Sequence, residues 1–168
     1  MSLTNERIQQ RLNEKFPDQL YNWQEPYGML TFTGSKEINL KVMQFLFDDE
    51  ELNFRFLSDL QAVHYPNQVG EELAVVYHLH NWVSNVRIRF KVFTDIKQPD
   101  VYSATALYQS ANFMERETYD FFGVNFIGHP NLIRILNVDE MDYFPLRKEF
   151  PLEDQTRIDK DDEMFGRG

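Results

Sequence analysis

Apolar positions recur at four-residue spacing near the start of the chain, at Ile8, Leu12 and Phe16. That spacing lines one face of a helix, with Thr4 placed to cap its start and Pro17 to stop it. Tyr27 to Thr33 is patterned as a short strand. Gly34-Ser35 then opens a second helix whose apolar face is Ile38, Val42, Phe45 and Leu46, and the acidic run Asp48 to Glu51 is its solvated end.

Three runs follow with apolar residues at every second position, the signature of half-buried antiparallel strands. The first, Phe54 to Tyr65, bends near Asp59. In the second, Leu73, Val75, Tyr77 and Leu79 share a face. The third places Val86, Ile88, Phe90 and Val92 inward and Arg87, Arg89 and Lys91 outward, with Asn81 to Asn85 turning the hairpin between them. Ser103 to Phe122 reads as a helix that ends at Gly123, the residue suited to a left-handed cap. The order α-β-α-β-β-β-α gives an α+β fold, a mostly antiparallel sheet packed with helices.

After Gly123 the pattern changes. No helical or strand period persists from Asn125 to Gly168, and this stretch holds Pro130, Pro145 and Pro151. Within it lies F-P-L-R-K-E-F-P-L, two Phe-Pro-Leu triplets separated by Arg147, Lys148 and Glu149. Irregular segments longer than roughly 15 residues are uncommon in compact domains. The prolines keep this one from closing a core, and its apolar residues suit burial against another protein. The chain thus divides into a globular domain over residues 1–124 and a partner-wrapping arm over 125–168, whose charged tail is solvated.

Composition narrows the function classes. The 168 residues carry 17 Lys and Arg against 27 Asp and Glu, a formal net charge of −10 that repels phosphates and argues against nucleic acid. Cysteine is absent, which removes disulfides, thiolate nucleophiles and Cys-held zinc or iron–sulfur clusters. No window approaches the roughly 18 apolar residues of a membrane span, and the polar N-terminus has no apolar leader core, so a membrane is met only through a partner.

The densest chemistry lies in E-R-E-T-Y-D-F-F-G-V-N-F-I-G-H-P, residues 115 to 130. On a helix Arg116 and Asp120 stand four apart and can pair, while Glu115 shares a face with Tyr119 and Phe122. Glu115, Glu117, Asp120 and His129 are the ligand types of a metal-dependent hydrolase, but without the paired histidines that a zincin helix requires. The competing reading is structural: charged groups held in place because removing one partner strands the other. His78 and His80 alone supply too few ligands for a metal site. No phosphate loop or nucleophile elbow is present.

Residues 111 to 136, A-N-F-M-E-R-E-T-Y-D-F-F-G-V-N-F-I-G-H-P-N-L-I-R-I-L, followed by F-P-L-R-K-E-F-P-L, resemble the signature of the 30 kDa subunit family of NADH-quinone oxidoreductase, the respiratory complex I. The resemblance rests on Glu115, Arg116, Glu117, Asp120, Gly123, Gly128, His129, Pro130, Arg134, Pro145, Leu146, Arg147, Lys148 and Pro151. F-L-S-D-L-Q-A-V-H-Y-P, residues 56 to 66, is also similar, although His64 stands where an aspartate is common.

The resemblance implies a peripheral-arm subunit that binds no cofactor itself, within a complex that holds NADH, FMN, iron–sulfur clusters and quinone on other subunits. Its implied partners are the other complex I subunits, chiefly the one that forms the quinone site and the adjacent cluster-carrying ones, at the cytoplasmic face of the cell inner membrane. Glu115, Arg116, Glu117 and Asp120 are then expected to lock the last helix to the arm. Gly123 and Gly128-His129-Pro130 would set its launching turn. Arg134, Arg147 and Lys148 would meet acidic groups on a partner, with Phe144, Leu146, Phe150 and Leu152 as buried anchors. Homologous subunits of photosynthetic-type, archaeal-type F420-linked and hydrogenase complexes share much of this motif. A stand-alone hydrolase and a generic binding module are the other readings.

Overall fold

The computed structural model describes residues 3–150. Helix α1 spans Asn5–Lys15, and Thr4 caps it by accepting the Arg7 amide on its hydroxyl. Strand β1 (Leu20–Gln24) and a single 3-10 turn at Pro26–Gly28 lead to β2 (Leu30–Gly34) and then α2 (Asn39–Asp48). Strands β3 (Phe56–His64), β4 (Leu73–Asn81) and β5 (Val86–Thr94) form an antiparallel meander. The short β6 (Asp100–Tyr102), helix α3 (Ala111–Phe122) and β7 (Asn125–Ile127) follow.

The main sheet has the order β1-β2-β5-β4-β3, in which only β2 and β5 run parallel. Its core face carries Leu73, Val75, Tyr77 and Leu79 of β4 and Ile88, Phe90 and Val92 of β5, all fully buried. A row of stacked rings crosses four strands: Trp23 on Phe32 at 4.9 Å, Phe32 on Phe90 at 5.0 Å, and Phe90 on Tyr77 at 5.9 Å. Ile8 and Leu12 of α1 and Val42, Met43 and Leu46 of α2 join the same core. Helix α3 lies alongside the edge strand β3.

The expected meander, its hairpin and the bend near Asp59 are all present, the bend as a register shift between Leu57 and Asp59. Four local expectations differ. Gly34 ends β2 and does not open a helix: a Cβ there would lie 3.0 Å from both the Leu20 and Phe90 side chains, so the position is closely packed, and α2 starts only at Asn39. Tyr27 sits in the 3-10 turn, and Leu20–Gln24, whose exposed side chains hide its alternation, is a strand.

The run Asp48 to Glu51 is a docking point for α1. Arg7 grips Glu51 with two bonds of 2.6 and 2.8 Å, and Arg11 pairs with Asp49. Residues 103–110 form turns, not the first half of a helix. Their polar groups are committed elsewhere, Tyr108 donating to the Phe54 carbonyl and Ser110 to that of Leu57.

Candidate functional site: a polar hub under an apolar surface

Helix α3 is amphipathic in an unusual sense, because two acids, Glu115 and Asp120, are its fully buried charged positions. They face different surroundings. Glu115 accepts 2.7 Å bonds from the Ser103 hydroxyl and the Ala104 amide, with no cation in contact. Burial pushes its pKa up to about 7, against the pull of those two donors.

The sign of the linkage follows. In the unfolded chain the carboxyl ionises near the ordinary 4.5. Between 4.5 and about 7 the folded state therefore holds more protons, and stability falls by about 3 kcal/mol as pH rises through that window. Glu115→Gln removes the charge, keeps the Ala104 amide as a donor to its oxygen, and turns its NH2 to donate to the Ser103 hydroxyl. The variant is expected to match the wild type at pH 4.5 and exceed it at pH 8, by the difference between their urea midpoints. Equal midpoints at pH 8 would refute a buried, uncompensated carboxylate.

Asp120 is the opposite case. Its Oδ2 accepts the amides of Ile135, Leu136 and Asn137 at 3.0, 2.8 and 2.9 Å. Oδ1 accepts Arg134 Nη1 at 2.7 Å and the Asn137 side-chain amide at 3.1 Å. Burial alone would raise its pKa, but the Asn137 and Leu136 amides, Arg134 and the Ile135 amide outweigh it and hold the carboxyl far below the ordinary range. One carboxylate thereby folds a loop that has no regular hydrogen bonding of its own.

Arg134 completes the hub. Besides Asp120 it donates to the carbonyls of Met141 and Tyr143 at 2.7 and 2.9 Å. Arg116 was expected to pair with Asp120, yet it reaches the carbonyls of Ile133 and Arg134. Glu117 is exposed on α3. The expected four-residue ion-pair network is therefore a single pair, Asp120–Arg134, with Arg116 supporting it through backbone.

The segment after β7 is pinned at three further points. Gly123 caps α3 in the left-handed region at φ +75°. Phe144 packs where a Gly123 side chain would be, with the guanidinium of Arg147 4.6 Å from the ring centre and that of Arg134 at 5.3 Å. Arg147 also donates to the Phe122 carbonyl at 2.7 Å. Gly128 has φ +87° and Pro130 is exposed, while His129 ties the turn by bonding the Asn112 carbonyl through Nε2 and the Asn131 amide through Nδ1. Finally, the Lys148 amide donates to Nδ1 of buried His64, 84 residues away, at 2.9 Å.

Burial lowers the pKa of His64, and its neutral imidazole accepts here as a carboxylate would. Sequence reasoning missed this contact, the Ser103 bond and the part played by Asn137, none of which a spacing rule flags. It assigned Arg134 and Arg147 to a partner's acids, whereas both guanidinia are engaged inside this chain. Pro145 and Phe150 are half-buried, Lys148 is exposed, and Pro151 and Leu152 lie outside the described residues.

Among the described residues no three His, Asp or Glu side chains are grouped to hold a metal ion. Glu115, Asp120 and His129 each have separate partners, which removes the ligand set of the hydrolase reading. What the hub does is orient: with Arg134, Asn137 and three loop amides turned to Asp120, Ile133, Leu136, Val138 and Leu146 stand 50, 64, 63 and 52% exposed.

The family described as the 30 kDa subunit of respiratory-chain NADH dehydrogenase matches residues 32–156. The C subunit of NADH-quinone oxidoreductase from Citrifermentans bemidjiense is 42% identical over 91% of this chain and 93% of its own. That of Roseiflexus sp. (strain RS-1) is 42% identical over 90% and 87%. The Nocardioides sp. protein of the same name is 44% identical over 74% of this chain, and the match spans only half of its length.

Among solved structures, the trypsin-resistant fragment (1-134) of Nqo5 is 31% identical with a TM-score of 0.63, covering 76% of this chain and 98% of that one. A chain of the membrane-bound sulfane sulfur reductase, an archaeal respiratory membrane complex, is 25% identical with a TM-score of 0.73, covering 88% and 85%. With the family signature and the sheet and helix arrangement in agreement, the chain belongs to the 30 kDa subunit family of respiratory-chain NADH dehydrogenase.

Proposed function

We propose that this chain is a structural subunit of the peripheral arm of NADH-quinone oxidoreductase, carrying no redox centre of its own. It holds neighbouring subunits, chiefly the one that forms the quinone site and the adjacent cluster-carrying ones, in the register that lets electrons pass from NADH through iron–sulfur clusters to quinone. The whole assembly, at the cytoplasmic face of the inner membrane, is the enzyme.

The observation that carries this reading is the segment over residues 130–150. Arg134 and the amides of Ile135, Leu136 and Asn137 are consumed by Asp120, and Ile133, Leu136, Val138 and Leu146 are presented outward among the exposed Asp139, Glu140, Asp142, Lys148 and Glu149. Burying an exposed leucine or valine is worth about 1.5–3 kcal/mol, so the arrangement suits a protein partner and is a liability without one. Among the described residues no helix is long and apolar enough to cross a membrane, so the partner supplies the attachment.

A tagged chain recovered from gently solubilised native membranes is expected to bring down a large assembly that oxidises NADH with a quinone acceptor. Leu136→Asp with Val138→Asp, both exposed in the lone chain, is expected to abolish that recovery while leaving the unfolding midpoint unchanged. A wild-type chain recovered alone would overturn the proposal. The second reading, a related complex with another donor, is favoured by the likeness to the sulfane sulfur reductase chain. It predicts the same recovery without NADH oxidation.

A further inference from the structure

His64 is the last residue of β3, pairs across to Leu73 of β4, and is 3% exposed. Its Nδ1 accepts the Lys148 amide at 2.9 Å. The ring is therefore neutral in this arrangement and carries its proton on Nε2. An amide can only donate, and an imidazolium has a hydrogen on both nitrogens. A proton added at Nδ1 would set two donors face to face, and the bond that ties the C-terminal segment to the end of an edge strand would be lost.

The surroundings do little to hold such a charge. Among the described residues the charged groups facing the ring are Glu72, just before β4, and Arg147, Lys148 and Glu149 of the segment itself. Glu72 is already engaged, accepting the Gly70 amide at 3.0 Å and the Ile96 amide at 3.2 Å. Glu149 is shared with Arg147, 3.9 Å away. Arg147 and Lys148 repel an imidazolium. Burial outweighs the two acids and holds the ring below its ordinary pKa of 6.5. A freed ring takes up a proton near 6.5 and the held ring resists it, so the bond is closed above that pH and opens as pH falls below it.

The rest of the segment has no such sensitivity. Asp120, which holds Arg134 and the amides of Ile135, Leu136 and Asn137, has its carboxyl far below the ordinary range and stays ionised. Arg147 donates to the Phe122 carbonyl at 2.7 Å and the Leu146 amide to that of Phe121 at 3.2 Å, bonds between groups that do not titrate near neutral pH. Glu115 works in the opposite direction, because acid relieves its buried charge. Falling pH thus tightens the body of the fold while it loosens one end of the segment.

We propose that His64 is a proton-operated latch for the end of the C-terminal segment. Protonation at Nδ1 releases Lys148, Glu149 and Phe150 from β3, with Arg147 as the pivot, while the Asp120 hub stays closed. The latch is a property of the chain by itself and does not rest on the function proposed above.

The test reads hydrogen exchange at single amides of the full-length chain by NMR at pH 7.5 and pH 5, each rate divided by the intrinsic rate at that pH. The Lys148 amide is expected to lose protection by about tenfold or more at pH 5, the size of effect that one proton taken up below 6.5 allows. The Leu136 and Leu146 amides are expected to keep theirs. His64→Asn places a carbonyl oxygen near the position of Nδ1, an acceptor that does not titrate, and should give Lys148 equal protection at both pH values. His64→Leu removes the acceptor and should leave Lys148 unprotected at both. Wild-type protection at Lys148 that is the same at the two pH values, or an acid loss that persists in His64→Asn, would overturn the latch. Loss at Leu136 and Leu146 in step with Lys148 would overturn it too, since acid would then be opening the whole segment. None of these outcomes bears on whether the chain is recovered with an assembly, so the proposed function stands or falls separately.

Discussion

Asp120→Ala is expected to destabilise the chain by about 3–5 kcal/mol, the range for removing one partner of a buried pair. The substitution strands Arg134 and leaves the amides of Ile135, Leu136 and Asn137 without an acceptor. Against a typical domain stability of about 5–15 kcal/mol this is a large fraction. Asp120→Asn preserves shape but turns an NH2 towards groups that can only donate, so it should recover part of the loss and not all of it. Urea unfolding measures the total, and amide hydrogen exchange at Ile135, Leu136 and Asn137 locates it. Because the carboxyl is held far below its ordinary pKa, its contribution is present above about pH 4 and is lost as pH falls further. An Ala variant within 1 kcal/mol of wild type, or exchange unchanged at those amides, would refute the hub.

Gly123→Ala is the second large effect, and it has an internal control. At φ +75° any side chain is strained, by about 1 kcal/mol for alanine. The added Cβ would also lie 2.5 Å from the Phe144 ring and 2.6 Å from Arg147 Nη2, in space that is already filled. Gly128 has a similar φ of +87° but nothing within 4 Å. Gly128→Ala therefore measures strain alone, and the excess cost at Gly123 measures displacement of Phe144 from between the two guanidinia. That excess is expected to be about 2 kcal/mol or more, in the range of overpacking a filled site. Loss of the Arg147 bond to Phe122 should accompany it. Equal losses at the two glycines would show that Phe144 does not depend on the site.

Much of the fold was legible because periodicity and burial coincide. Leu73, Val75, Tyr77 and Leu79 alternate and are buried, as are Ile88, Phe90 and Val92. Gly123 as the end of α3 followed from one residue. Misread elements were those in which a residue's local preference served a distant purpose. Gly34 packs closely against Leu20 and Phe90, and the Ser/Thr-rich run before α3 serves the carboxyl of Glu115 and the edge of β3. Parallel pairs β2–β5 and β6–β7 join residues too far apart for local pattern to reveal. At the site, sequence singled out Glu115, Asp120 and Arg134 through family resemblance but could not say that Asp120 turns to Arg134 and Glu115 away from it. Which of two buried acids meets a cation is decided by tertiary placement alone.

The two outer strands of the main sheet bear on how the unassembled chain avoids aggregation. A free strand edge is a template for pairing with another chain, and a protein synthesised apart from its partners must survive that interval. Strand β1 is short and interrupted by a register shift between Tyr21 and Gln24, with Asn22 at φ +53°, which bends its open edge out of line. Strand β3 is flanked by α3, the Ser110 hydroxyl occupies the Leu57 carbonyl, and the Lys148 amide closes on His64. The contacts that set the C-terminal segment in place thus also shield a strand on which copies of the free protein could otherwise polymerise.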